Sequence, residues 1–129
     1  MNAALPFAQQ QLAKNGEFYP YGVLLTSDGD GERLGGWTGD EHPLSDEVLL
    51  VLLDEARLRS TTLRAVALVA DVRAKGGDAI RVELEHREGP VMTILLGYSR
   101  RRFGRGIEYG AMTAGAAERR IWAPSGEGS

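Results

Sequence analysis

The chain has 129 residues, 43% of them hydrophobic and 26% charged, with a formal net charge of −3 and no cysteine. That is globular composition for one domain with its own core. The lack of cysteine excludes disulfides, thiol nucleophiles and thiolate metal sites. Residues 1–60 carry four basic and ten acidic side chains (net −6), and residues 61–129 carry eleven and eight (net +3); such a gradient orients a partner or favours self-contact. The longest apolar run, Val48 to Leu53, is too short to span a bilayer, and the start of the chain lacks a signal-peptide pattern. A cytoplasmic location without membrane contact is expected.

In chain order, a first helix is predicted from Ala3 to Lys14, with Pro6 tolerated in its first turn and Asn15-Gly16 as a stop. Glu17 to Thr26 reads as a strand whose early part Pro20 confines to an edge or entry. Ser27-Asp-Gly-Asp-Gly-Glu32 is a turn, and Arg33 to Thr38 completes a hairpin. A second helix, Asp46 to Arg59, is capped by Ser45 and has acids in its first turn. Its Val48-Leu-Leu-Val-Leu-Leu53 run is apolar nearly all round, which predicts burial on more than one side, between the sheet and the first helix or another subunit.

Leu63 to Arg73 is near-continuously apolar and hence a central strand. Asp78 to Arg87, with apolar residues at every second position from Ile80 to Leu84, and Val91 to Tyr98 read as strands and form a hairpin, with Leu84 expected opposite Ile94 and Val82 opposite Leu96. The opposite face of the first of these strands carries Arg81, Glu83, Glu85 and Arg87, read as a solvated charge ladder. After the loop Ser99 to Gly106, Ile107 to Thr113 is a strand. Ala114 to Glu118 turns into a short strand ending at Trp122, with helix over Ala111–Arg120 as the competing reading. Residues 1–123 form one domain and 124–129 a disordered tail.

The order α-β-β-α-β-β-β-β defines an α+β fold, a mainly antiparallel sheet with two helices on one face. Profilin-like and roadblock-like domains and some secretion chaperones have similar order. The segments Gly16-Glu-Phe-Tyr-Pro-Tyr-Gly22, Asp78-Ala-Ile-Arg-Val-Glu-Leu-Glu-His-Arg-Glu-Gly89 and Glu108-Tyr-Gly110 resemble a family of small bacterial proteins of unassigned function. That resemblance implies a bacterial cytosolic protein and brings no catalytic residues.

Most familiar chemistry fails on spacing. Asp28-Gly-Asp30-Gly-Glu32 lacks the glycine and glutamate an EF-hand needs at its sixth and twelfth positions, which hold Arg33 and Gly39. Gly35-Gly-Trp-Thr-Gly39 lacks the P-loop lysine. Ser99 is followed by Arg100 and Arg101 where a nucleophile elbow wants glycine, and His42 with Asp40 and Glu41 gives no metal-ligand spacing. Glu83 and Glu85 are spaced like an acid/base pair but lie along one strand rather than across a cleft. No catalytic, cofactor or metal residue is assigned.

Two binding surfaces remain. Arg100, Arg101, Arg102, Phe103 and Arg105 offer guanidiniums and a ring for an anion or an acidic partner; the net negative charge disfavours nucleic acid. Tyr19 and Tyr21, with Trp37 and His86, would line a groove for an extended peptide or small molecule. The expectation is a binding or interaction module, adaptor- or immunity-like, that meets a protein partner or itself through its sheet edge and arginine loop. A small-molecule sensor is the alternative, and an enzyme the least supported reading.

Overall fold

The computed structural model describes residues 4–15, 18–35, 45–74, 77–100 and 106–122. In chain order these form α1 (Ala4–Asn15), β1 (Tyr21–Thr26), β2 (Gly31–Gly35), α2 (Ser45–Leu58), a 3-10 turn (Ser60–Thr62), β3 (Leu63–Ala74), β4 (Gly77–His86), β5 (Val91–Arg100) and β6 (Ile107–Ala116). The strands make a single six-stranded sheet in the order β2-β1-β3-β4-β5-β6, every neighbouring pair antiparallel. The mixed α+β class and the element order agree with the sequence. Among the described residues, no helix is long and apolar enough to cross a membrane.

Local sequence sets the ends of these elements. Pro20 keeps the ladder from starting before Tyr21. In the β1–β2 turn the Thr26 carbonyl accepts the Gly29 N–H at 2.9 Å, while Gly29 takes φ +94°, which glycine adopts without a Cβ clash. Asp46 and Glu47 occupy the first turn of α2 and Arg57 the last, the polarity the helix dipole favours.

The helices do not share a face. Tyr21, Val23, Ala67, Val69, Ile80, Val82, Leu84, Leu96 and Tyr98 join Ala8 and Leu12 of α1 in one core. Leu24, Val66 and Leu68 join Val48, Leu52, Leu53 and Ala56 of α2 in another. Cross-strand partners share a face and chain neighbours do not, so the register puts α1 and α2 on opposite sides of the sheet. The one-face arrangement is therefore corrected to three layers, helix–sheet–helix. β3 is the reason: Ala65 to Ala70 are all buried, and a strand apolar on both faces needs cover on both. The expected cover of α2 by the first helix is corrected with it. Leu52 is fully buried, whereas Leu50 is 60% and Leu58 82% exposed.

The β4–β5 hairpin keeps its predicted faces but not its register. Val82 lies opposite Ile94 and Leu84 opposite Met92, two residues away from the expected pairing. The connection uses four residues, Arg87 to Pro90, closed by the His86 N–H donating to the Pro90 carbonyl at 3.2 Å. Pro90 has no N–H to return that bond. An even shift preserves which side chains face which core.

β6 runs unbroken from Ile107 to Ala116, so neither the helix nor the early turn occurs. Its pairing slips by one residue opposite Gly97, a bulge around Gly110 and Ala111. Residues 117–122 form no regular strand, against the short strand expected there. The tail 124–129 lies outside the described residues.

Candidate functional site

Groups suited to chemistry or binding gather in three places: the charged row of β4, the two sheet edges, and the aromatic segment before β1. Arg81, Glu83 and Glu85 alternate with the Ile80–Val82–Leu84 set and so face the α2 side. They are not a solvated ladder. Glu85 is only 5% exposed, because residues 117–122 cross over it and Ile121 and Trp122 pack onto the α2 core. Its carboxylate faces three consecutive backbone N–H groups. Arg120 donates to Oε1 at 2.8 Å, Ile121 to both oxygens at 3.1 Å, and Trp122 to Oε2 at 2.8 Å.

Successive N–H groups turned to one side form an anion-binding concavity, and an ionised carboxylate is purely an acceptor. Arg119 adds positive charge 3.9 Å from Oε2, while its guanidinium donates to the carbonyls of His86 at 2.8 Å and Gly89 at 2.6 Å. Glu83 sits between Arg81 at 3.2 Å and Arg120 at 3.1 Å. Further ties come from Arg57, whose Nε donates to the Arg120 carbonyl, and from Trp122, whose Nε1 donates to the Ser60 carbonyl. With its oxygens committed to the backbone, Glu85 acts as a clamp on residues 117–122 rather than as half of an acid/base pair. Thr93 lies opposite Glu83.

The two sheet edges differ in kind. β2 is five residues long and its charges are engaged: Glu32 pairs with Arg59 at 2.6 Å, which holds the Glu32 carboxyl below its usual range, and the Arg33 guanidinium lies 3.9 Å from the Phe7 ring centroid. β6 has ten residues and a single ionisable carboxylate, Glu108. Every residue from Glu108 to Ala116 is exposed, with Met112 at 55%. Unused edges are ordinarily blunted by charge, proline, shortness or a bulge. β2 is blunted by shortness and by its paired charges, β6 by no more than the bulge at Gly110 and Ala111 and the charge of Glu108.

At the opposite edge of the molecule, where β1 begins and β3 ends, lies an open cleft of about 580 Å³. Its described lining includes Phe7 and Gln11 of α1, Phe18, Tyr19, Tyr21, Ser45 and Asp71. The rings form a wall: Phe7 meets Tyr21 edge-to-face at 4.8 Å and Phe18 meets it at 5.8 Å. Tyr21 is 6% exposed and Tyr19 is 52% exposed. Burial pushes the Tyr21 phenol up to about 12, against smaller lowering effects from a backbone hydrogen bond with Ala8 and the charge of Arg33. Asp71 accepts a hydrogen bond from the Tyr98 hydroxyl.

Of the predicted groove residues, Tyr19 and Tyr21 do come together here. Tyr21 lies opposite Val69, and Val69 opposite Val82. His86 is four residues farther along β4, about 13 Å away by strand rise, and stands apart from the cleft. Phe7 and Asp71 were not foreseen; only the docking of α1 brings Phe7 to Tyr21. Trp37, His42, Arg101, Arg102, Phe103 and Arg105 lie outside the described residues, as does the Arg100 side chain. Among the described residues no three His, Asp or Glu groups gather as a metal site. No protein-family model, curated protein or solved structure matches this chain.

Proposed function

We propose that this protein is an interaction module whose working surface is the β6 edge, and that the edge is occupied by the same strand of a second copy. The supporting observation is the asymmetry between edges: a short, ion-paired β2 against a ten-residue β6 with one carboxylate and no proline or basic residue. Such an edge presents a row of unpaired peptide groups, whose natural complement is another β-strand.

Self-pairing is favoured by the sequence of β6 itself. In an antiparallel two-fold pairing centred on Met112, Glu108 falls opposite Ala116 and Gly110 opposite Ala114, so no like charges meet. Tyr109 and Met112, both exposed, lie on the face that carries Met92, Ile94 and Leu96, and pairing would extend that apolar face across both copies. A single open edge closes as a dimer instead of growing into a fibre.

The test is sedimentation of the wild type and of Met112→Lys, which puts a charge on the edge without touching either core. A dimer that becomes a folded monomer in the variant is the expected result. A wild type that stays monomeric at high concentration would refute self-pairing; capture of a foreign strand by that monomer would assign the edge to a partner protein.

A further inference from the structure

We propose that the end of the sheet where β3 starts and β4 finishes binds a small phosphorylated polyol, a phosphate monoester that also carries hydroxyl groups. The place lies away from the β6 edge and from the aromatic cleft. It is a hollow of about 200 Å³ lined by Ser27, Arg64, Arg87 and Glu88. The register of β3 and β4 runs one pair beyond Ala65 and His86, so Arg64 stands opposite Arg87, whose N–H donates to the Arg64 carbonyl at 2.8 Å. Like charges directly opposite, with Cβ atoms about 5 Å apart, destabilise a sheet. Among the described residues neither guanidinium has a carboxylate within ion-pair distance. The pair is therefore an uncompensated concentration of positive charge.

Both cations are held in place without being neutralised. Arg64 donates from Nη2 to the Ser27 carbonyl at 2.8 Å, and Arg87 donates from Nη1 to the Thr61 carbonyl at 3.3 Å. A guanidinium carries five N–H donors, so Nε and the second terminal nitrogen of each arginine remain for an anion. Two planar forks steadied by backbone carbonyls match the oxygens of a phosphate. The rest of the lining selects what the phosphate is attached to. The Ser27 hydroxyl donates to the Thr62 carbonyl at 3.2 Å, which leaves its oxygen as an acceptor. Glu88 brings a carboxylate to the same hollow, which repels a bare phosphate dianion and accepts a hydrogen bond from a hydroxyl. Acceptors beside an anion-binding pair call for hydroxyl donors next to the phosphate, as a polyol ester supplies.

Glycerol 3-phosphate is a suitable probe, compared with inorganic phosphate and with sodium chloride at matched ionic strength. In an NMR titration of the whole chain it should move the Nε–Hε resonances of Arg64 and Arg87 and saturate with a Kd on the order of 1 mM. Inorganic phosphate should move the same resonances more weakly, and chloride should not saturate them. Arg64→Gln and Arg87→Gln, both at exposed positions, should each weaken glycerol 3-phosphate about tenfold, the loss of a charge-assisted hydrogen bond. Glu88→Gln should tighten inorganic phosphate and so narrow its gap from the ester. The proposal is overturned if chloride reproduces the shifts, if no saturation is reached, or if the shifts fall outside this hollow. It is also overturned if either arginine variant binds as well as the wild type, or if inorganic phosphate binds the wild type as tightly as the ester.

Discussion

Glu85 and Trp122 are held together across 37 positions of the chain, the Trp122 N–H donating to the Glu85 carboxylate at 2.8 Å. Two neighbouring N–H groups share that carboxylate, so residues 117–122 depend on one buried anion. Glu85→Ala should cost about 2–4 kcal/mol, since it leaves three N–H groups without their acceptor. Urea denaturation measures the loss. Hydrogen exchange should show the amides of Arg120, Ile121 and Trp122 losing protection before those of β3. Equal loss across the sheet would mean that the clamp is not local.

Arg119 reaches the carbonyls of His86 and Gly89 with two different nitrogens. A lysine keeps the charge but cannot span both acceptors with a planar fork. Arg119→Lys should therefore destabilise by about 1 kcal/mol, read as a lower urea midpoint. Faster exchange should be confined to the β4–β5 turn.

The Tyr21 phenol, pushed up to about 12 by burial, links stability to alkaline pH. The unfolded chain releases this proton near pH 10, whereas the folded chain holds it. The contribution is complete below pH 10 and is lost as pH rises from 10 towards 12. The loss should reach up to about 2 kcal/mol. Tyr21→Phe should flatten the stability profile over that window, and a tyrosinate absorbance step near pH 12 should vanish with it. An unchanged profile in the variant would place the alkaline sensitivity elsewhere.

The three-layer arrangement predicts opposite outcomes for two leucines of one helix. Leu52 is fully buried against β1 and β3, so Leu52→Ala should cost about 2–5 kcal/mol. Leu58 is 82% exposed, and Leu58→Ala should change stability by less than about 0.5 kcal/mol. Thermal unfolding of both variants distinguishes this from a helix enclosed on all sides, where both would be costly.

Much of this was legible from residues near each other in sequence. Strict alternation in Ile80–Val82–Leu84 placed Arg81, Glu83 and Glu85 on the opposite face, and it placed them correctly. The unbroken apolar run of β3 marked it as central. That same run implied cover on both faces, yet the helical stripes carry no label for the side of the sheet they choose. The four-residue turn before Val91 could not be told from a tighter one by hydrophobic pattern alone, because a shift of two leaves the pattern unchanged.

What covers Glu85 was not legible. Residues 117–122 bring only backbone N–H groups to it, and every residue but proline has one. The meeting of Phe7 with Tyr21 depends likewise on where α1 docks. By itself the sequence determined the strands through β5, the faces of β4 and the order of elements, since period and turn chemistry act over a few residues. Tertiary structure decided the sides taken by the helices, the clamp on Glu85, the exposure of β6 and the shape of the cleft. Each of these is a contact between distant segments, and its energy exists only once both are in place.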